Sequence, residues 1–118
     1  MNRLLVTLFV FATGTGCKED KFITPGQISG SWQVVKATRN TNPTHTFDGA
    51  YFKFSRDSVN TNYQGEILES PFVLQKNVLV QTQPESLLYD LQMPHKDTLI
   101  LSTDLHGSHF TFTLNRIP

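Results

Sequence analysis

Cysteine is almost absent: the 118-residue chain has one, Cys17. A single thiol cannot close an internal disulfide, so a hydrophobic core must hold the fold. Long apolar runs are missing too. The longest, Leu4 to Ala12, has nine residues, against about 20 for a helix that crosses a bilayer. Net charge is also lacking, since ten basic and ten acidic residues cancel. That removes the electrostatic argument for nucleic acid or an anionic surface as a partner. The chain has no Gly-x-Ser-x-Gly elbow and no Gly-rich phosphate loop. Glu66 and Glu69 stand beside a turn, and Asp90 sits on an otherwise outward strand face, where solvated acids are the rule. No acid, base and nucleophile set emerges, so the chain reads as non-enzymatic. Asp104, His106 and His109 share the turn TDLHGSH, and His45 and His95 lie in other turns of what would be the same rim. Zinc needs three or four ligands converging at about 2.0 to 2.3 Å, and one hairpin tip offers two side chains on one side. No metal and no other cofactor is expected.

What is present begins at the N-terminus. Arg3 and the amino group precede the apolar run, and Thr13 to Gly16 are all small; this is the layout of a cleavable secretory signal. The small residues ending in Gly16-Cys17 resemble the lipobox of bacterial lipoproteins, with Gly14 where the usual pattern has leucine. Lys18-Glu19-Asp20, followed by Lys21, resembles the tag that sends lipoproteins of the Bacteroidetes to the cell surface. The resemblance implies cleavage before Cys17, lipidation of its thiol, and attachment to outer-membrane lipid with the domain surface-exposed; a periplasm-facing orientation is the alternative. Each buried methylene contributes about 0.8 kcal/mol, so two acyl chains hold where one is marginal. Cys17 is then a tether and has no part in chemistry. Residues 1–16 read as the signal peptide, 17–27 as a lipidated tether punctuated by Pro25-Gly26, and 28–118 as one domain. The roughly 100 residues left after cleavage suffice for a single core, and a monomer is expected.

Within the domain, short runs alternate apolar and polar residues between turn clusters. Leu87, Tyr89, Leu91 and Met93 share one face; so do Phe110, Phe112 and Leu114, and Leu99 with Leu101. Val78 and Val80 read as another such pair. Trp32 with Val34, Phe52 with Phe54, and the runs 59–63 and 71–75 complete about eight strands. No convincing helix is evident, although Gln64 to Ser70 has room for one turn. Runs of about five to seven residues are shorter than the 9 to 11 of a membrane-spanning strand. Their apolar face is therefore the interior of a water-facing barrel.

Gly30-Ser31-Trp32 opens the first strand, Phe52-Lys53-Phe54 follows, hairpins run from Tyr89 to Leu101, and Phe110 to Arg116 closes the chain. This pattern resembles the lipocalins, and more closely the small lipocalin-like lipoproteins of the Bacteroidetes. The resemblance implies an all-β fold, an antiparallel up-and-down barrel of about eight strands, with Trp32 closing one end and Arg116 stacked over it. Eight strands enclose either packed side chains or one small ligand. Phe52, Phe54, Tyr63, Phe72, Tyr89, Phe110 and Phe112 are the candidate cavity lining. The leading expectation is a lipid-anchored envelope protein that binds a small hydrophobic ligand. The alternative is a protein-interaction or inhibitor module with a packed interior, acting through loops such as 39–48 and 94–97.

Overall fold

The wall of the barrel follows the order of the chain. A computed structural model describes residues 22–83 and 85–118; the leader, Cys17 and the Lys18-Glu19-Asp20 motif lie outside those residues. The strands are β1 (Gly30–Arg39), β2 (Asn42–Pro43), β3 (Tyr51–Phe54), β4 (Ser58–Thr61), β5 (Leu68–Gln75), β6 (Val78–Gln81), β7 (Leu87–His95), β8 (Thr98–Leu105) and β9 (Ser108–Arg116). Successive strands pair antiparallel, except that β3 pairs with β1 while the two-residue β2 folds back onto the far end of β1. β9 returns to β1, from Trp32↔Arg116 to Arg39↔Phe110, and shuts the sheet. Eight strands thus form the expected closed antiparallel barrel, and closure leaves no long edge to recruit another chain. The whole closed sheet and its core lie within residues 22–118, so this portion carries the fold.

Alternation puts Phe110, Phe112 and Leu114 inside, with Thr111 and Thr113 turned away. In β1 the neighbours Val34 and Val35 cannot both face inward. A bulge resolves this: Val34 pairs with Leu114 and Lys36 with Thr113, leaving Val35 as the extra residue. Val35 and Lys36 both point outward, and Ala37 returns to the core.

In β6 the inward face is the opposite of the one suggested by the sequence. Leu79 and Gln81 are buried, whereas Val78 and Val80 are only half-buried. Val-Leu-Val has no polar residue to mark a phase, so pairing decides it: Leu79 stands between Leu74 of β5 and Tyr89 of β7. Val80 instead joins Val73 and Leu88 in an outward cross-strand row.

The turn of helix considered at Gln64 to Ser70 is not there. Leu68, Glu69 and Ser70 extend β5 and pair with Thr61, Asn60 and Val59. Among the described residues helix occurs instead as one turn, α1 (Pro25–Ile28), where the sequence suggested only punctuation. Thr24 caps it: its hydroxyl accepts from the Gln27 amide, and the Gln27 side chain accepts from the Thr24 amide at 2.8 Å. This is a capping box with proline at the first helical position. The turn drives Ile28 fully into the core, and Ile23 packs there as well.

Candidate functional site

The meander sorts the loops to two ends. The β3–β4, β5–β6 and β7–β8 turns lie at the end where α1 enters and the C-terminus leaves. The β1–β2 turn, the β2–β3, β4–β5 and β6–β7 loops, and the β8–β9 turn form the opposite mouth.

The first end is closed by Trp32, which has no exposed surface. Its indole N–H donates to the Ile28 carbonyl at 2.8 Å, so burying the ring leaves no polar group unpaired. Arg116 covers the ring, its guanidinium carbon 4.3 Å from the ring centre, in cation–π geometry. The same guanidinium donates to the carbonyls of Ser29 and Gln27 at 2.9 Å and of Lys96 at 3.1 Å, and to the Asp97 carboxylate at 3.3 Å. One side chain therefore fastens the N-terminal turn to the β7–β8 hairpin. Gly30 makes room for it: φ is +121°, and a Cβ there would meet Arg116 Nη1 at 3.2 Å. The glycine of Gly30-Ser31-Trp32 is thus set by backbone conformation and by the approach of Arg116.

The mouth is built differently. Phe47, from the β2–β3 loop, drops its ring onto Phe112 (5.0 Å between centres, 80°) and Phe110 (5.3 Å, 84°), both edge-to-face contacts. The backbone hydrogen bonds around it stay local: Asp48 N–H to the His45 carbonyl, and Ala50 N–H to that of Phe47. Beside Phe47 an open hollow of about 260 Å³ is lined by Phe47, Tyr63, Gln64, Leu105, His106 and Phe110. The loops and turns of this end carry four exposed acids, Asp48, Glu66, Glu85 and Asp104, and one exposed cation, Arg39. Arg39 lies 6.0 Å over the Phe110 ring and donates to Ser108.

Below the mouth, Tyr63 and Tyr89 share a buried hydroxyl hydrogen bond of 2.7 Å, and the Gln64 amide donates to the Tyr63 hydroxyl. Burial pushes both phenols above their ordinary pKa of 10.0; the neighbouring Tyr63 raises Tyr89 further. Both are neutral donors and acceptors at physiological pH.

Of the seven candidate lining residues, Phe52, Phe54, Phe72, Tyr89 and Phe112 pack within the barrel. Phe52, Phe54 and Tyr89 border an internal void of only about 10 Å³, shared with Val59, Thr61, Leu79, Gln81 and Leu101. That is about the smallest space that holds one water. Phe72 meets Phe54 edge-on at 6.0 Å, and Phe112 contacts Phe47, Phe52, Tyr63 and Phe110. Tyr63 and Phe110 reach the mouth hollow.

The histidines do not share a rim. His95 ends β7 at the closed end, whereas His45, His106 and His109 are at the mouth. His109 is paired with Asp104 at 2.8 Å and His45 with Asp48 at 3.2 Å. Among the described residues no three metal-ligating side chains converge. Glu66 and Glu69 are exposed on a turn and on the outer face of β5, and Asp90 is exposed on β7.

Sequence reasoning missed Phe47, Ile28 and the α1 turn. The signals were present: a lone phenylalanine in the polar stretch TNPTHTFDG, and Thr-Pro-Gly-Gln with its capping spacing. No protein-family model matches the chain, and no curated protein matches it.

Proposed function

We propose that this chain is a non-enzymatic, lipocalin-like lipoprotein of the bacterial envelope, held to outer-membrane lipid through acylated Cys17. It docks a protein partner at the barrel mouth. The observation that carries the second part is the filled interior. A void of about 10 Å³ holds no hydrophobic ligand, since ligand pockets run to about 300–1,000 Å³. Of the two readings open to the sequence, this favours the interaction module with a packed core over the carrier. The mouth hollow offers a surface for recognition, apolar at its centre around Phe47 and Phe110, at an end that carries four exposed acids. Its complement is a protein segment with one apolar side chain flanked by lysine or arginine.

Peptide-display selection on the immobilised chain tests this. Enriched peptides should pair an apolar residue with basic neighbours, and Phe47→Ala should weaken their binding at least about tenfold, as loss of a central aromatic anchor does. Selected peptides that bind Phe47→Ala as well as the parent would defeat the reading. A lipid that remains bound in native mass spectrometry would return the barrel to the carrier class. For the anchor, Cys17→Ala should abolish acyl labelling and release the protein from membranes. Protease shaving of intact cells should digest the domain if it is surface-exposed.

A further inference from the structure

The net charge of zero conceals a polar arrangement. At the closed end each of three hairpin tips presents one exposed cation: Arg56 between β3 and β4, Lys76 between β5 and β6, and Lys96 between β7 and β8. Among the described residues none of the three takes part in an ion pair; Asp97, the acid beside Lys96, is engaged by Arg116. Lys53, exposed near the end of β3, adds a fourth cation; the acids on this side are Asp57 in the first tip and Glu69, level with Lys53 across β4 and hydrogen-bonded by Ser58. The mouth has the opposite balance, with Asp48, Glu66, Glu85 and Asp104 against Arg39.

Two apolar side chains accompany the cations. Phe22, the first described residue, and Ile117, just past β9, are both about two-fifths exposed (42% and 41%). The Ile117 amide donates to the Ser31 carbonyl, and the Ile23 amide donates to the Asn77 side chain in the β5–β6 turn, beside Lys76. Both ends of the 22–118 segment are therefore fixed at the cationic end. Phe22 lies five positions after Cys17, a reach of about 17 Å when extended, so anything that holds residue 17 holds this end nearest.

We infer that the closed end lies against an anionic lipid surface, with Arg56, Lys76 and Lys96 over the headgroup phosphates and Phe22 and Ile117 at the interface. Basic residues near such a surface attract it additively, and exposed apolar side chains beside them enter the interfacial layer. The inference builds on the reading of Cys17 as an anchor and adds an orientation: the acidic mouth points away from the membrane, toward the partner.

The test uses residues 18–118, which lack the cysteine, so its outcome is independent of acylation. Sedimentation with phosphatidylcholine vesicles should leave the protein in solution. Vesicles with about a third phosphatidylglycerol should carry it down at low salt and release it as salt rises. Neutralising each tip, as Arg56→Ser, Lys76→Ser or Lys96→Ser, should weaken binding about fivefold, the equivalent of about 1 kcal/mol per charge. The triple variant should lose about a hundredfold. Lys36→Ser, an exposed cation on the barrel wall, should bind like the parent, and circular dichroism confirms that each variant is folded. The inference is overturned by equal binding to neutral vesicles, by no binding to anionic ones, by a triple variant that binds like the parent, or by a Lys36→Ser loss as large as that at the tips. Failure of acyl labelling at Cys17 would defeat the anchor and leave this result standing.

Discussion

The two ends of this barrel solve the same problem, covering the rim of a packed core, with opposite means. The closed end uses a capped helical turn, a fully buried tryptophan and one arginine that makes four hydrogen bonds across elements distant in sequence. The mouth uses one ring on a loop whose hydrogen bonds remain largely within itself. The β1–β2 turn at this end also holds Thr41 at φ +74°, a conformation that costs a β-branched residue about 1–2 kcal/mol. Local stability follows from such differences, and binding surfaces are drawn from the less firmly held parts. Residues 45–48, which carry Phe47, make only local hydrogen bonds and can rearrange without breaking long-range ones.

Breaking the closed end should cost most. Trp32→Ala removes the largest buried side chain at that end and strands the Ile28 carbonyl, so urea unfolding followed by circular dichroism should show a loss of about 3–5 kcal/mol. That is a large part of the 5–15 kcal/mol typical of a domain. Arg116→Lys keeps the charge and loses the planar fork that reaches several acceptors at once. A loss of about 1–3 kcal/mol is expected, and a lysine variant as stable as the parent would reduce the clamp to simple charge.

Between the ends lies the tyrosine pair, where the effect should be smaller and conditional. Tyr63→Phe or Tyr89→Phe alone leaves a buried hydroxyl short of a partner, at about 1–2 kcal/mol, while the double variant should cost less than the sum. Both phenols are raised by burial, so the folded state keeps protons that the unfolded chain releases above about pH 10. Their contribution is complete below that pH and is lost as pH rises past it. Alkaline titration of stability should fall more steeply for the parent than for the double variant. Least disturbing to the fold is Phe47→Ala at the half-buried mouth, expected to cost about 1–2 kcal/mol by thermal unfolding. A loss as large as that of Trp32→Ala would erase the contrast between the ends.

Much of this was legible in the chain. Strands with one polar and one apolar face, such as Phe110 to Asn115, announce themselves because alternation maps directly onto inside and outside. The Trp32 and Arg116 positions came from a resemblance, and the geometry supplies the reason for their spacing: antiparallel pairing sets them directly opposite each other. Val78-Leu79-Val80 was not legible, since its two faces are equally apolar and only Leu74 and Tyr89 choose between them. Phe47 was hidden for another reason. A loop residue has no periodicity, and whether it plugs a barrel depends on where the barrel's rim falls.

The sequence by itself determined the class of the fold, the number of wall strands and the lack of any disulfide, because these follow from local alternation, turn chemistry and residue counts. Only the tertiary structure decided that the interior is packed, that one phenylalanine caps the mouth, and that most described cations gather at one end while the mouth carries an acidic excess. Volume and charge segregation are sums over residues far apart in sequence, and an up-and-down meander sends alternate turns to opposite ends of the molecule.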